Sequence, residues 1–450
     1  MSKPYRKLKF LLIFIAVVLL GVAWGKRSSL VKHSSSIFQP LSHQANQPVI
    51  GNRVISKGRY YEVSIPSEQS TQYLLVEHIS ANYRLWIPDT AKTIRGVIVR
   101  QHGCGEPASA TGLDHASDLQ WQVLAEKYQF ALLGTKLTVN DKPCEDWALI
   151  NNGSKTIFLN ALHALADKSQ QPELEQAPWV LWGHSGGADW IAQMLQEFPD
   201  RTIAIVGVRG GGFEFYGSNP ALVGIPVLFS LGAKDPYAAE TIKLPQQAFS
   251  RYRKISAPWT FAIEPNAAHE TGNSRFLAIP YLDAVIAERL NSKGELVAID
   301  GEKGWLGNLT THEISSASTY IGNPLEATWL PNEEVARKWK EYVTTGNVLP
   351  TRKPNAPTNV QVLKKPDKQA VITWNFTPDL ENGLPPFHIY RNSSLVATVK
   401  GQEHGFGDAP DPVNVFREYV DKNTQDTASY SVAAFNEIGE SISPPTNFSK

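Results

Sequence analysis

The sequence predicts two folded units of different class: an α/β unit with a mostly parallel central sheet, and a smaller all-β sandwich after it. Three observations predict this arrangement. Between residues 96 and 290, short apolar runs typical of buried strands alternate with segments of helical apolar spacing. One of those runs, residues 178–182, leads directly into Gly183-His-Ser-Gly-Gly187. From residue 356 onward, short strand-like segments are instead separated by Gly, Pro and Asn.

The composition is that of an ordinary globular protein and gives no indication of a nucleic-acid partner. The chain has 450 residues, more than a single core usually holds, and its apolar fraction of 42% is ordinary for globular protein. Lys plus Arg and Asp plus Glu each number 43, so the formal net charge is zero. Because no basic stripe lies outside the extreme N-terminus, we expect no nucleic-acid partner.

The N-terminus reads as a targeting segment. Four basic residues up to Lys9 precede an uncharged run from Phe10 to Gly25. That run is short for a membrane span, which needs about 20 residues, but it suits the core of a signal peptide. Small residues at Ala23 and Gly25 favour cleavage before Lys26, and an uncleaved signal anchor is the alternative. Either form predicts an exported protein, whether secreted, periplasmic or membrane-anchored facing outward, with membrane contact only through this segment.

The predicted organisation follows from these patterns. We expect a signal peptide or anchor at 1–25, a linker at 26–55, an α/β domain at 56–295, an extension and Pro-containing linker at 296–355, and the all-β domain at 356–450. The α/β domain opens with an antiparallel meander at 60–65, 73–76 and 83–87. Parallel strands are expected at 96–101, 130–134, 178–182, 203–208, 226–231 and 259–264, and helices at 114–128, 154–166, 188–198, 244–254, 279–290 and 331–343.

The strand, glycine turn and helix around Ser185 form the context in which G-x-S-x-G marks a nucleophile elbow. Such a turn strains the serine backbone, so small residues must flank it to let the strand and the helix approach each other. Gly183 and Gly187 supply that room. Ser185 is therefore the candidate nucleophile; an ordinary strand-to-helix loop is the alternative.

A neutral serine needs a base and an acid that orients the base, and on this architecture they follow in the order serine, acid, histidine. Asp235 comes straight after the strand at 226–231 and is the candidate acid, with Glu240 and Glu264 as alternatives. His269 follows the last strand and precedes the final helix of the domain, so it is the candidate general base.

An oxyanion hole needs two donors beside the nucleophile. The N–H of Gly186, directly after Ser185, is one candidate. The other is the N–H of Cys104 in the loop His102-Gly-Cys-Gly-Glu106, with Gly105 as second choice. Two cysteines without a matching pair of histidines do not predict a zinc site. The candidate serine, acid and histidine act without a metal or an organic cofactor, so none is expected.

These motifs together resemble those of α/β-hydrolases over residues from about 60 to 292. The loop at His102, and the attached β domain, are most similar to secreted polyhydroxyalkanoate depolymerases and to feruloyl or acetylxylan esterases. The resemblance implies a serine hydrolase that forms an acyl-enzyme with a small or polymeric ester, through Ser185, Asp235 and His269.

Residues from about 356 to 447 resemble a fibronectin type III domain. Trp374 stands where that family has its core tryptophan, Tyr430 is its corner tyrosine, and 430–441 match its penultimate-strand sequence. Such domains serve as spacers or binding units, so contact with a carbohydrate or polymer surface is the implied role.

Three further predictions concern side chains near the expected site. Trp147 either stacks on a substrate ring or covers the core. Arg209, and Arg275 after the base, are candidates to meet a substrate carboxylate, with structural ion pairs as the alternative. Cys104 and Cys144 are expected to form a disulfide, because both follow neighbouring strands in an exported chain; two free buried thiols are the alternative.

The leading hypothesis is an exported esterase. A serine peptidase on the same scaffold is the second enzymatic hypothesis. In the non-enzymatic hypothesis the β domain binds a surface and the α/β domain has no catalytic activity.

Overall fold

The computed structural model describes residues 58–65, 79–106, 108–139, 145–212, 215, 217–366, 368–410, 418–425 and 427–448. The expected targeting segment and linker, and the strand expected at 73–76, lie outside these ranges. Among the described residues, no helix is both long enough and apolar enough to cross a membrane.

An eight-stranded sheet forms the centre of the first unit. Its strands are β1 (Gly58–Ile65), β2 (Ile79–Pro88), β3 (Gly96–Gln101), β4 (Phe130–Val139), β5 (Trp179–His184), β6 (Thr202–Val208), β7 (Val227–Gly232) and β8 (Trp259–Glu264). Their order is β1-β2-β4-β3-β5-β6-β7-β8. β2 is antiparallel to both β1 and β4, and the remaining pairs are parallel. The expectation of a mostly parallel α/β sheet is thereby confirmed.

Helices cover both faces of this sheet. They are α1 (Leu119–Tyr128), α2 (Ser154–Ser169), α3 (Gly186–Glu197), α4 (Lys243–Arg253) and α5 (Arg275–Arg289). One apolar cluster joins α2, α3 and α4 to one face, and a second joins α1 and α5 to the other. All residues of β3, β5 and β7 are buried, as expected for strands packed on two sides. α5 begins four residues before the expected helix at 279–290 and continues through Pro280.

The segment after α5 packs on the edge of the sheet. It forms a small sheet of β9 (Trp305–Gly307), β10 (Ile314–Ser316) and β11 (Thr328–Leu330), followed by α6 (Glu333–Thr345). The helix lies within two residues of its expected position, whereas the small sheet was not predicted. Phe261 of β8 donates its N–H to Thr328 Oγ1 at 2.8 Å and accepts from Trp339 Nε1 at 2.9 Å. These bonds cover the outer edge of β8, which would otherwise present unpaired backbone groups.

The C-terminal module consists of two antiparallel sheets. One contains β12 (Thr358–Lys365), β13 (Gln369–Asn375) and β16 (Glu418–Asp421); the other contains β14 (Phe387–Arg391), β15 (Ser394–Val399), β17 (Tyr430–Asn436) and β18 (Gly439–Ile442). Trp374 and Tyr430 are buried in the core between them. The all-β class is confirmed.

Candidate active site

The turn after β5 holds Ser185 in a strained conformation. Its φ of 54° and ψ of −122° lie in a region that residues with a side chain rarely adopt. A Cβ added at Gly183 would meet the carbonyl oxygen of Gly187 at 2.2 Å, and one at Gly187 would meet that of Gln101 at 2.5 Å. Glycine is therefore required at both positions for β5, α3 and the end of β3 to approach one another. Although Ser185 caps α3, its hydroxyl makes no capping hydrogen bond.

Ser185, His269 and Asp235 form a continuous chain of hydrogen bonds. His269 Nε2 lies 2.9 Å from Ser185 Oγ, and His269 Nδ1 lies 2.9 Å from Asp235 Oδ2. An ionised carboxylate only accepts, so Nδ1 carries the proton of the neutral imidazole and Nε2 is left to accept from the serine hydroxyl. The structure thus brings together the three residues that the sequence proposes, in the geometry that general-base activation of a serine requires.

Asp235 is held rigidly behind the histidine. Its Oδ1 accepts the N–H of Tyr237 at 2.9 Å, and its side chain is fully buried. Burial acts to raise the pKa of Asp235, but the hydrogen bonds from His269, Tyr237 N–H and Thr241 outweigh it and lower the pKa below its usual value. The carboxylate is therefore ionised when it faces the imidazole.

Glu264, an alternative for the catalytic acid, forms an ion pair with Arg209 instead of contacting His269. Its Oε2 accepts from Arg209 Nη2 at 2.7 Å and from Tyr342 Oη at 2.9 Å. Its Oε1 accepts the N–H of Asn273 at 3.0 Å. Glu240, the other alternative, lies in the short helical turn Ala238–Thr241. No hydrogen bond or ion pair of either side chain with His269 occurs in the described structure, so both alternatives are set aside.

Arg209 does not occupy a position from which it could meet a substrate. Its side chain is 0% exposed. Besides the ion pair with Glu264, it donates to the carbonyl oxygens of Ser230 at 3.0 Å and Glu270 at 2.9 Å. The prediction of a substrate-binding Arg209 is therefore wrong in this structure: the guanidinium instead ties the loop after His269 to β7 and β8. The sequence around Arg209 could not reveal these contacts, because the partners lie between 21 residues (Ser230) and 62 residues (Thr271) away along the chain.

Trp147 is also buried. Its ring lies 4.9 Å from that of His102 and belongs to the apolar cluster under α2 and α3. This placement matches the core alternative and corrects the substrate-stacking one. His102 accepts the N–H of Leu137 on Nε2 at 2.8 Å, and burial lowers its pKa to about 4, so it braces the loop after β3 as a neutral ring.

The proposed oxyanion donors come from neighbouring segments. Gly186 is the first residue of α3, where backbone N–H groups have no acceptor within the helix. A Cβ at Gly187 would also meet the carbonyl oxygen of His102 at 2.5 Å, so the start of α3 lies against the loop that carries Cys104. The expected disulfide partner Cys144 lies outside the described residues, and the pairing stays a prediction.

His184 is a contributor that sequence reasoning missed. It occupies the variable position before the serine, is 1% exposed, and its Nε2 donates to the backbone carbonyl of His269 at 2.7 Å. Burial lowers the pKa of His184 to about 3, with the nearby His269 adding to the effect, so the ring is neutral. The only signal in the sequence was the residue type at a position that the motif leaves open.

The mouth of the site is open to solvent. Ser185 and His269 are partly exposed, and the ring of Tyr237 stands edge-on to His269 at 5.0 Å. Phe406 of the C-terminal module lies beside His184, with ring centroids 5.4 Å apart, and is 42% exposed. Across the described part of the chain, no cluster of three or more His, Cys, Asp or Glu residues could hold a metal ion.

Comparison with known proteins gives only distant likenesses. No protein-family model matches the chain, and no curated protein matches its sequence. Among solved structures it is similar to a ferulic acid esterase (13% identity, 51% of this chain and 99% of that one, TM-score 0.38). An S-formylglutathione hydrolase from Agrobacterium tumefaciens is also similar (13% identity, 53% and 98%, TM-score 0.37), as is a dienelactone hydrolase from Anabaena variabilis (19% identity, 47% and 88%, TM-score 0.33).

Proposed function

We propose that the protein is an exported serine hydrolase of the α/β-hydrolase type that cleaves carboxylic esters. The observation that carries the proposal is the chain Ser185–His269–Asp235, with both hydrogen bonds at 2.9 Å and the serine at a strained turn. Strain of this kind persists only where the surrounding packing enforces it, and it is concentrated at functional sites. The order of the strands, with the serine after the central β5, supports the same assignment.

The reaction follows from the protonation states. His269 Nε2 accepts the hydroxyl proton of Ser185 as Oγ attacks the ester carbonyl, and the new oxyanion is stabilised by the N–H groups of Gly186 and Cys104. Asp235 stabilises the imidazolium that forms. His269 then returns the proton to the leaving alcohol, which leaves the acyl group on Ser185. A water molecule, deprotonated by His269, attacks this acyl-enzyme and releases the acid, restoring the free serine.

Export and the nature of the C-terminal module belong to the same proposal. The basic residues and apolar run before residue 26 support export, and Phe10 to Gly25 would be either removed or retained as an anchor. The antiparallel sheets β12-β13-β16 and β15-β14-β17-β18 support a fibronectin type III-like sandwich. Tyr430 supports this too: its buried hydroxyl hydrogen-bonds side chains a few residues upstream, Asp421 Oδ2 at 2.7 Å and Thr424 Oγ1 at 2.6 Å, in the region to which a corner tyrosine directs its hydroxyl.

A panel of substrates tests the proposed activity. The purified protein would be assayed with p-nitrophenyl esters of increasing acyl length, feruloyl and acetylated sugars, soluble polyester oligomers, and peptides. We expect turnover of at least one ester class and its loss in Ser185→Ala with an unchanged circular dichroism spectrum. Hydrolysis of peptides but of no ester would replace the proposal with a peptidase; no turnover of any member would favour a binding protein.

A further inference from the structure

A loop of the C-terminal module reaches into the α/β unit. This inserted loop, residues 402–410, lies between β15 and β16, and its residues 407–410 are buried. Three consecutive carbonyl groups accept hydrogen bonds across the boundary. Phe406 O accepts from Thr271 N–H at 3.1 Å, Gly407 O from His115 Nε2 at 3.1 Å, and Asp408 O from Arg100 Nη2 at 2.9 Å.

The inserted loop also carries a buried charge that the α/β unit neutralises. Asp408 accepts from Arg100 Nη2 at 2.7 Å and from Arg275 Nε at 2.8 Å. Asp118 pairs with the same two arginines, at 3.2 Å and 2.5 Å. All four side chains are at most 7% exposed. Removing one partner from such a cluster leaves a buried charge uncompensated, which is strongly destabilising, so the position of the loop is firmly fixed.

These contacts fall on the two segments that flank the candidate nucleophile. Arg100 belongs to β3, two residues before the loop that begins at His102 and carries Cys104. Arg275 is the first residue of α5, and Thr271 stands two residues after His269. The inserted loop is therefore bonded both to the strand that carries the proposed oxyanion loop and to the loop that carries the base. Arg275, which the sequence offered as a substrate ligand, is part of this junction instead.

Phe406 contacts the loop after His269 through its carbonyl and the end of β5 through its ring. Its carbonyl also accepts from Thr271 Oγ1 at 3.1 Å, in addition to the N–H. Its ring packs edge-on against His184, with centroids 5.4 Å apart and planes at 70°. His184 in turn holds the carbonyl of His269. Both contacts of Phe406 thus lead to the backbone of His269, one through Thr271 and one through His184.

We propose that Phe406 is a positioning residue for His269, and hence that the C-terminal module is a built-in part of the active site rather than a detachable binding unit. The proposal rests on the serine-hydrolase function proposed above. Phe406 fixes the distance between His269 Nε2 and Ser185 Oγ without touching the reacting atoms. A small displacement of a catalytic group lowers the rate of the chemical step much more than it lowers substrate affinity.

The test uses the full-length protein and three variants. Phe406→Ala removes the ring, and Phe406→Tyr retains it. Phe435→Ala is the matched control, because it removes another phenylalanine of the module that is stacked on a histidine, His388, at 3.8 Å. Second-order labelling by a fluorophosphonate, kcat and KM, and thermal unfolding would be measured for each.

We expect Phe406→Ala to lower kcat and the labelling rate by about tenfold or more with KM within about twofold of wild type. In Phe406→Tyr and Phe435→Ala, the labelling rate, kcat and KM should each stay within about twofold of the wild-type value. Wild-type rates in Phe406→Ala, an equal loss in Phe435→Ala, or a rise in KM alone would overturn the proposal.

A second variant serves if Phe406→Ala does not fold. Thr271→Val removes only the Oγ1 hydrogen bond to Phe406 and keeps the shape of the side chain, so it should lower kcat at constant KM. Unchanged kcat in Thr271→Val would then count against the proposal. Failure of the underlying function is separable, because a wild-type protein without labelling or turnover would contradict the serine-hydrolase proposal itself.

Discussion

His184 Nε2 donates a hydrogen bond to the backbone carbonyl of His269 at 2.7 Å, so the residue before the candidate nucleophile holds the loop of its base. The carbonyl is an acceptor only, which places the single proton of the neutral His184 ring on Nε2. The segments that carry the nucleophile and the base are therefore linked twice. The side chain of Ser185 bonds the side chain of His269, and the side chain of His184 bonds the main chain of His269. The relative position of the two catalytic groups depends on both links.

The first prediction concerns that second link. His184→Phe keeps a ring of similar size but removes the donor, leaving the carbonyl of His269 without this hydrogen bond. We expect kcat to fall by roughly tenfold to a hundredfold and stability to fall by about 1–3 kcal/mol, the cost of leaving this partly buried acceptor without its hydrogen bond. Esterase kinetics and chemical denaturation measure the two effects. Unchanged kcat would show that the bond does not position the base.

The second prediction separates the candidate acids. Asp235→Asn should lower kcat by a factor on the order of 10⁴, because an amide facing Nδ1 favours the wrong tautomer of His269. Glu240→Gln is the matched control and should retain activity within about twofold. The comparison is of kcat at pH 7 with circular dichroism as a check on folding. A mild effect at Asp235 with a severe one at Glu240 would move the acid.

The sequence could predict the residues that follow strands with a clear apolar pattern, but not the contacts between residues far apart in the chain. Ser185, Asp235 and His269 each follow a strand with a strong local apolar pattern, so their position at one sheet edge could be inferred without coordinates. Phe406 and Asp408 carry no such signal. Their partners lie 135 and 308 residues away, and only the packing of two units brings them together.

Arg209 also shows that a local sequence pattern does not tell what a side chain contacts. Three glycines follow Arg209 and predict a loop, but whether an arginine in a loop faces solvent or a buried acid depends on a neighbouring strand. Glu264 at the end of β8 supplies that acid. A local pattern cannot distinguish the two cases.

The third prediction follows from the buried Arg209–Glu264 pair. Arg209→Met should destabilise the protein by about 3–5 kcal/mol, because it leaves the Glu264 carboxylate buried without its cation. The relative rates on anionic and neutral esters of equal size should stay unchanged in whatever fraction remains folded. Unfolding curves and the two kcat/KM values are the measurements. A selective loss on the anionic ester, with stability retained, would restore a substrate-binding role.

The fourth prediction concerns Asp189 in the first turn of α3. Burial raises the pKa of its carboxyl to about 7, while Oδ1 accepts the N–H of Gly211 at 2.9 Å. The unfolded chain releases this proton near pH 4, so folding favours the protonated form, and stability is lost as the pH rises from about 4 through 7.

Asp189→Asn preserves the acceptor and removes the ionisation. The variant should therefore gain stability relative to wild type as the pH rises from 5 to 9, by an amount on the order of a few kcal/mol at most. Denaturation midpoints at the two pH values measure the difference. A constant difference between variant and wild type would contradict the assigned titration.

Covalent labelling tests directly whether Ser185 is the nucleophile. Wild-type protein would be incubated with a fluorophosphonate, and the adduct located by peptide mass mapping. We expect one adduct per chain on Ser185, with none on Ser185→Ala and labelling slowed by orders of magnitude in His269→Ala. An adduct on another residue, or full labelling of Ser185→Ala, would contradict it.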